Sequence, residues 1–314
     1  MTDNLLSDRP PFISFLRILG MLIIGFGLIG QIVAVIILSL MVDGDLMSSL
    51  SQPGEHPELR NAILLSQAAG SLVGLILIPW LYLKTSENRD LGIFFNKRPR
   101  NIALYSLLIL IATVGLAVSI SPVVEWNATI NFPEWMKGFQ EFAMQMEKNA
   151  EEIIKVITDN MTPVDLVFSI LVVGALTAVG EEIAFRGMLQ TELVRAFRNP
   201  HLGIWIAAAV FSAFHFQFFG FVPRLLIGAF LGYLYYWSGN LWLAILGHFF
   251  NNGLQLVGLY LYQRGNITFD VEGNTAAPVE AVIPSIVLTI GLLYFIRNHS
   301  RRDPSSDNEF HSQL

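Results

Sequence analysis

PVDLVFSILVVGALTAVGEEIAFRGMLQ, residues 163–190, decides the fold. From Val164 to Gly180 its only charge is Asp165; then Glu181, Glu182 and Arg186 follow within one helical stretch. A membrane span needs roughly 20 predominantly apolar residues, and this segment has that length with charges inside it. An ionised side chain at membrane depth costs about 2.5–3.5 kcal/mol on insertion scales and faces the protein interior or a water-filled cavity. The segment therefore reads as a spanning helix surrounded by other spanning helices, with a polar site on it.

The rest of the chain agrees. Of its 314 residues 53% are hydrophobic and 14% charged, where soluble domains carry about a quarter charged residues. There is no cysteine, which excludes disulfides and thiolate metal sites. The net charge of -6 comes without any basic run, so no nucleic-acid partner is expected. The first apolar run, Phe12 to Val42, outlasts the apolar region of a secretory signal and lacks a small-residue cleavage site, so it reads as a retained first transmembrane helix.

Apolar runs of spanning character fall at 12–42, 62–83, 102–120, 163–190, 202–219, 223–238, 241–262 and 281–297. The expected fold is all-α, a polytopic transmembrane helical bundle of about eight spans in the lipid bilayer, with an intramembrane active-site cavity. The 84–100 connection carries Lys84, Arg89, Lys97, Arg98 and Arg100, whereas Asp43, Asp45, Glu55 and Glu58 face only Arg60 in the connection before it. The positive-inside rule makes the basic connection cytoplasmic. Arg195, Arg198, Arg297, Arg301 and Arg302 then also fall inside, and both termini are cytoplasmic. Short loops fit a bacterial inner membrane. Residues 1–120 form N-terminal transmembrane helices, and 121–162 an extracytoplasmic amphipathic segment in which Trp135, Phe139, Phe142 and Met146 recur at helical spacing. Residues 163–297 form the core, and 298–314 a disordered cytoplasmic tail.

Three polar turns interrupt the core: Glu181, Glu182 and Arg186; His215; and His248 with Asn251 and Asn252. Residues four apart share a helix face, so Glu182 pairs with Arg186, while Glu181 points about 100° away and is free to act across the bundle. The same spacing presents His248 and Asn252 together. Counting about 1.5 Å of rise per residue from the span ends places all three turns between the midplane and the cytoplasmic half, which predicts a pocket opening inward. A carboxylate withdrawn from bulk water can act as general base towards water, an imidazole can share the proton, and an amide can stabilise an oxyanion. Glu181, His215 and His248 are equally the two-histidine, one-carboxylate set that catalytic zinc uses, although no H-E-x-x-H occurs. Ser212 lacks the glycine flanks of a nucleophile elbow. Arg17, Glu192 and Arg224 read as side chains snorkelling at span ends, and His56, His201, His299 and His311 as loop or tail residues.

EEIAFR (181–186), FSAFH (211–215) and HFFNN (248–252), in that order on separate apolar segments, resemble the motifs of the CPBP family, also called ABI, which contains CAAX prenyl endopeptidases and bacteriocin-processing or immunity proteins. The resemblance covers roughly residues 163–262. It implies an intramembrane endopeptidase acting on a peptide or protein, in which Glu181 and His215 activate water, His248 and Asn252 stabilise the oxyanion, and Glu182 with Arg186 supports the site. The family is often labelled metalloprotease, and a glutamate-dependent mechanism without catalytic metal has also been proposed for it; the residues favour the latter. The rival readings are a proton-coupled transporter, since buried carboxylates and histidines also carry protons, and a non-catalytic membrane scaffold.

Overall fold

The computed structural model describes residues 9–42, 59–95, 101–268 and 275–300. Asp43, Asp45, Glu55, His56, Glu58, Lys97, Arg98, Arg100, Arg301, Arg302, His311 and the rest of the 301–314 tail lie outside them. The described residues form nine helices joined by short connections, with no strand among them. In chain order they are α1 (Pro11–Met41), α2 (Leu59–Ser86), α3 (Ile102–Ala128), α4 (Lys137–Thr158), α5 (Pro163–Phe197), α6 (Pro200–Ala213), α7 (Phe221–Ser238), α8 (Leu241–Gln263) and α9 (Val279–Ser300).

Among the described residues six helices are long and apolar enough to cross a membrane: α1, α2, α3, α5, α7 and α9. The chain is an integral, multi-pass membrane protein built as a helical bundle. The other two expected spans differ from these six for separate reasons. α6 is apolar but ends at Ala213 after 14 residues. α8 has 23 residues, and His248, Asn251, Asn252 and Gln255 dilute its apolar character.

α5 is the central element, packed against α1, α2, α6, α7 and α8. Every residue from 180 to 194 is buried, so the charged turn faces protein on all sides. A helix enclosed all round belongs to a core. α1 and α9 are the opposite case. Leu28, Ile32, Val35, Ile36 and Leu40 on α1, and Ile283, Val287, Ile290 and Tyr294 on α9, are exposed, which is what a lipid-facing surface requires.

Local chemistry starts and joins these helices. α5 begins with a capping box in which the Thr162 hydroxyl accepts from the Asp165 N–H and the Asp165 carboxylate accepts from the Thr162 N–H, with Pro163 in the first turn; each such cap contributes on the order of 1 kcal/mol. Arg60 at the start of α2 donates to Asp165 at 3.0 Å and to the Ile157 carbonyl at 2.8 Å, tying α4 to the head of α5. α1 and α2 meet at backbone distance, since a Cβ on Gly30 would stand 2.8 Å from the Gly70 carbonyl oxygen and one on Gly70 2.7 Å from the Gly30 oxygen. Small residues at such crossings replace the hydrophobic drive that is missing between helices in lipid. Wider π turns interrupt α1, α2 and α5; those in α5 lie at Ile170–Leu176 and Glu182–Gln190.

The amphipathic helix expected within 121–162 is α4. Phe139 and Phe142 pack against Phe218, with ring centroids 4.8 and 6.4 Å apart. α3 runs on to Ala128 rather than stopping near 120.

Candidate active site

The wide turn of α5 sets the two glutamates apart. Glu182 Oε1 accepts from Arg186 Nη1 at 2.6 Å and from His248 Nδ1 at 2.7 Å, and the side chain is 0% exposed. Arg186 also donates to the Gly228 carbonyl at 3.1 Å, and its guanidinium lies 4.4 Å from the centre of the Phe211 ring. Four residues on, Gln190 donates to the Gly232 carbonyl at 3.0 Å. A Cβ at Gly232 would fall 2.5 Å from Gln190 Oε1, so the missing side chain lets α5 reach the α7 backbone. Removing one member of such a buried charge cluster strands the others and costs about 3–5 kcal/mol.

Glu181 has a different environment. Its Oε2 lies 3.7 Å from His248 Nε2, beyond hydrogen-bond length, and makes no hydrogen bond. The His248 ring thus stands between the two carboxylates, bonded to Glu182 through Nδ1 and facing Glu181 through Nε2. Phe211 orders the neighbourhood. Its ring meets those of His215 and His248 edge-on at 4.9 and 5.8 Å, besides covering Arg186. His215 lies in the turn beyond α6, where Nδ1 donates to the Phe211 carbonyl at 2.9 Å. A carbonyl only accepts, so this bond fixes the proton on Nδ1 and leaves the Nε2 lone pair for another partner.

Asn252 Nδ2 donates to the Val173 carbonyl at 3.0 Å, and its Oδ1 accepts from Asn251 at 3.2 Å. Val173 sits in the wide turn at Ile170–Leu176, where the Thr177 hydroxyl takes the Val172 carbonyl at 3.1 Å. Side chains add donors there to the main-chain ones. One N–H of the Asn252 amide stays free of these contacts.

Glu181, His215, His248, Asn251 and Asn252 all line one cavity of about 3500 Å³. It extends past Asn131 and Thr158 to Gln263 and Pro278, at the far ends of α3, α4 and α8 and just before α9. These ends lie opposite the basic 84–100 connection from which α3 starts. From the polar turns the cavity runs towards these ends and away from that connection. The helix expected through 219 is shorter: the chain leaves α6 at Ala213, and Phe216 takes a φ of +55°.

Two side chains read as snorkelling are engaged inside. Glu192 is 2% exposed and bonded to Arg195 at 2.6 Å. Arg224 lines the cavity and donates to Gln217 Oε1 at 2.8 Å, and Gln217 in turn donates to Glu147 of α4 at 3.2 Å. Arg224 stands at the start of its run, where hydropathy cannot separate a surface arginine from one folded inward. The Phe211 contacts and the Gly228 and Gly232 seam were also not anticipated; the G-x-x-x-G spacing is their one sequence signal. Ser212 donates to the Phe221 carbonyl at 2.7 Å, a structural use. Burial holds the Glu147 carboxyl above its ordinary range.

Among the described residues no three His, Cys, Asp or Glu side chains are grouped to hold a metal ion; His215 and His248 each bond the protein through Nδ1, which leaves Nε2 of both as the atoms a metal would take.

Comparison with known proteins bears on the same region. A protein of Bacillus subtilis (strain 168) described as "Uncharacterized protein YpbD" is 37% identical over 78 residues, which are 24% of this chain and 36% of that protein. The chain thus matches little more than a third of that relative's length. No solved structure matches. Residues 163–254 match the family model described as "Rce1-like: Type II CAAX prenyl endopeptidase Rce1-like". All three polar motifs fall inside the match, in line with the CPBP resemblance that those motifs carry.

Proposed function

We propose that the protein is an intramembrane endopeptidase that hydrolyses peptide bonds with water activated by Glu181 and His215. One observation carries the reading: of two adjacent buried glutamates, Glu182 is consumed by Arg186 and His248, while Glu181 faces a cavity shared with His215 and Asn252. Water held between the Glu181 carboxylate and His215 Nε2 gives a proton to Glu181 as its oxygen attacks the scissile carbonyl carbon. The carbonyl oxygen takes the electron pair and is met by the free Asn252 N–H and by the Nε2–H of a doubly protonated His248, whose Nδ1–H Glu182 holds. The tetrahedral adduct then collapses, the C–N bond breaks, and the proton held by Glu181 passes to the leaving amine. Arg186 and Phe211 hold the framework. No step in this scheme calls for a metal.

The substrate is a peptide or protein segment reaching into the bilayer. The basic clusters support a bacterial inner-membrane location with both termini cytoplasmic. Detergent-purified protein incubated with a peptide library, beside Glu181→Gln and His215→Ala variants, tests the reading. Cleavage that both variants lose supports it. Cleavage that survives Glu181→Gln overturns the assignment of the base, and absence of cleavage by any preparation returns the transporter or scaffold reading.

A further inference from the structure

We infer that the catalytic cavity is served from the extracytoplasmic side and receives an extended stretch of polypeptide main chain there. The inference rests on the endopeptidase reading for its chemistry and on independent observations for its direction.

The first observation is where the cavity reaches. Away from Glu181 it runs to Asn131, Thr158 and Pro278 and along α4 through Gln140, Gln145 and Glu152. Counting α6 and α8 as crossings beside the six long apolar helices, the chain alternates in direction, and the ends of α1, α3, α6 and α8 and the starts of α2, α5, α7 and α9 share this end of the bundle. The second observation is charge. The opposite end carries Lys84, Arg89, Lys97, Arg98 and Arg100 in one connection, then Arg195 with Arg198, then Arg297 with Arg301 and Arg302. The cavity end carries half as many lysines and arginines, Arg60, Lys137, Lys148, Lys155 and Arg264 against the ten just named, together with Asp43, Asp45, Glu55, Glu58, Asp270 and Glu272. A lysine and arginine bias of this kind assigns the basic end to the cytoplasm, and the cavity therefore faces out.

The third observation concerns what the cavity is made to hold. Ten carboxamide side chains line its mainly apolar wall; six bond protein groups, Gln145 to Asn149 at 2.7 Å among them, and Gln31, Gln67, Gln255 and Gln263 keep theirs for an occupant. Each offers donors and an acceptor on one rigid plane. Main chain carries one donor and one acceptor per residue and must satisfy both when withdrawn from water. An acyl tail can use neither. Carboxamides spread over α1, α2 and α8 suit an extended segment whose amides turn alternately to either side, without demanding a particular side-chain charge.

The absence of cysteine from the chain makes the test direct. Gln145→Cys on α4 and Gln255→Cys on α8 report the cavity, and Ser86→Cys at the end of α2 reports the opposite end. Each full-length variant is exposed in intact cells to a membrane-impermeant maleimide, then again after permeabilisation. The expected result is labelling of Gln145→Cys and Gln255→Cys in intact cells and of Ser86→Cys only after permeabilisation; the reverse pattern overturns the inference. Labelling does not require turnover. Outside labelling without peptide cleavage by purified protein would sink the endopeptidase reading and leave the direction standing, while inside labelling with cleavage would do the opposite. For the main-chain part, Gln67→Leu with Gln255→Leu is expected to raise KM about tenfold for a cleaved peptide with kcat held; an unchanged KM overturns that part.

Discussion

Glu181 and Glu182 are neighbours in sequence, nearly equal in burial, and opposite in circumstance. Glu182 has two hydrogen-bonded partners on one oxygen, Arg186 from its own helix and His248 from α8. Glu181 has an imidazole at 3.7 Å and open cavity beyond. A buried carboxylate with its charge matched is a structural fixture, because moving any proton there upsets the balance of the whole cluster. A buried carboxylate beside a cavity keeps its proton exchange for whatever enters. The difference teaches that burial does not distinguish the two roles; the partner set does. Arg186 creates the asymmetry by reaching the glutamate one helical turn before it and leaving the preceding one alone.

The contrast can be broken by exchanging the demands on each residue. Glu181→Gln is expected to lower kcat by about 10² to 10⁴, the range for loss of a general base, with the unfolding midpoint nearly unchanged; a large stability loss instead would make Glu181 structural. Glu182→Ala is expected to act in reverse order, removing about 3–5 kcal/mol of stability by stranding Arg186, measured by thermal unfolding in detergent. The double replacement Glu182→Leu with Arg186→Met should cost less than the sum of the singles, since no charge is then left unmatched. Asn252→Ala should lower kcat by about 10², the lower range for an oxyanion donor, with KM less affected.

The smallest expected effect lies outside the bilayer core, at Glu147. Burial raises its pKa above the ordinary 4.5, against the opposing influence of Arg224. The folded state therefore holds the proton more tightly, and the contribution to stability is present at acid pH and lost as pH rises through the raised pKa. Glu147→Gln should gain thermal stability relative to the parent chain as pH is raised from about 4 to about 7. A constant difference across that range would show that Glu147 does not carry the dependence.

Much of this was legible in the sequence. The membrane bundle followed from apolar runs, and the Glu182 and Arg186 pair from helix spacing, because both are properties of one element at a time. The wide turns were not legible, since no residue in ILVVGAL announces them, and they alter which carbonyls are available. The position of His215 was misjudged by drawing one apolar run as one helix; apolar residues continue through Phe214, Phe216, Phe218 and Phe219 although the helix stops at Ala213. Arg224 and Glu192 were misjudged for a related reason: a charge near the edge of an apolar run has the same local sequence whether it turns out or in.

The Val173 carbonyl gives the irregularity of α5 a meaning beyond shape. A helical carbonyl keeps a second lone pair beyond its ladder bond, and the wide turn at Ile170–Leu176 presents that of Val173 to the Asn252 amide on α8. The distorted turn thus acts as a jig, made of main chain rather than side chain, that aims an amide on another helix. Substitutions far from any reacting atom, if they let this stretch wind evenly, would blur that aim without touching a single motif residue.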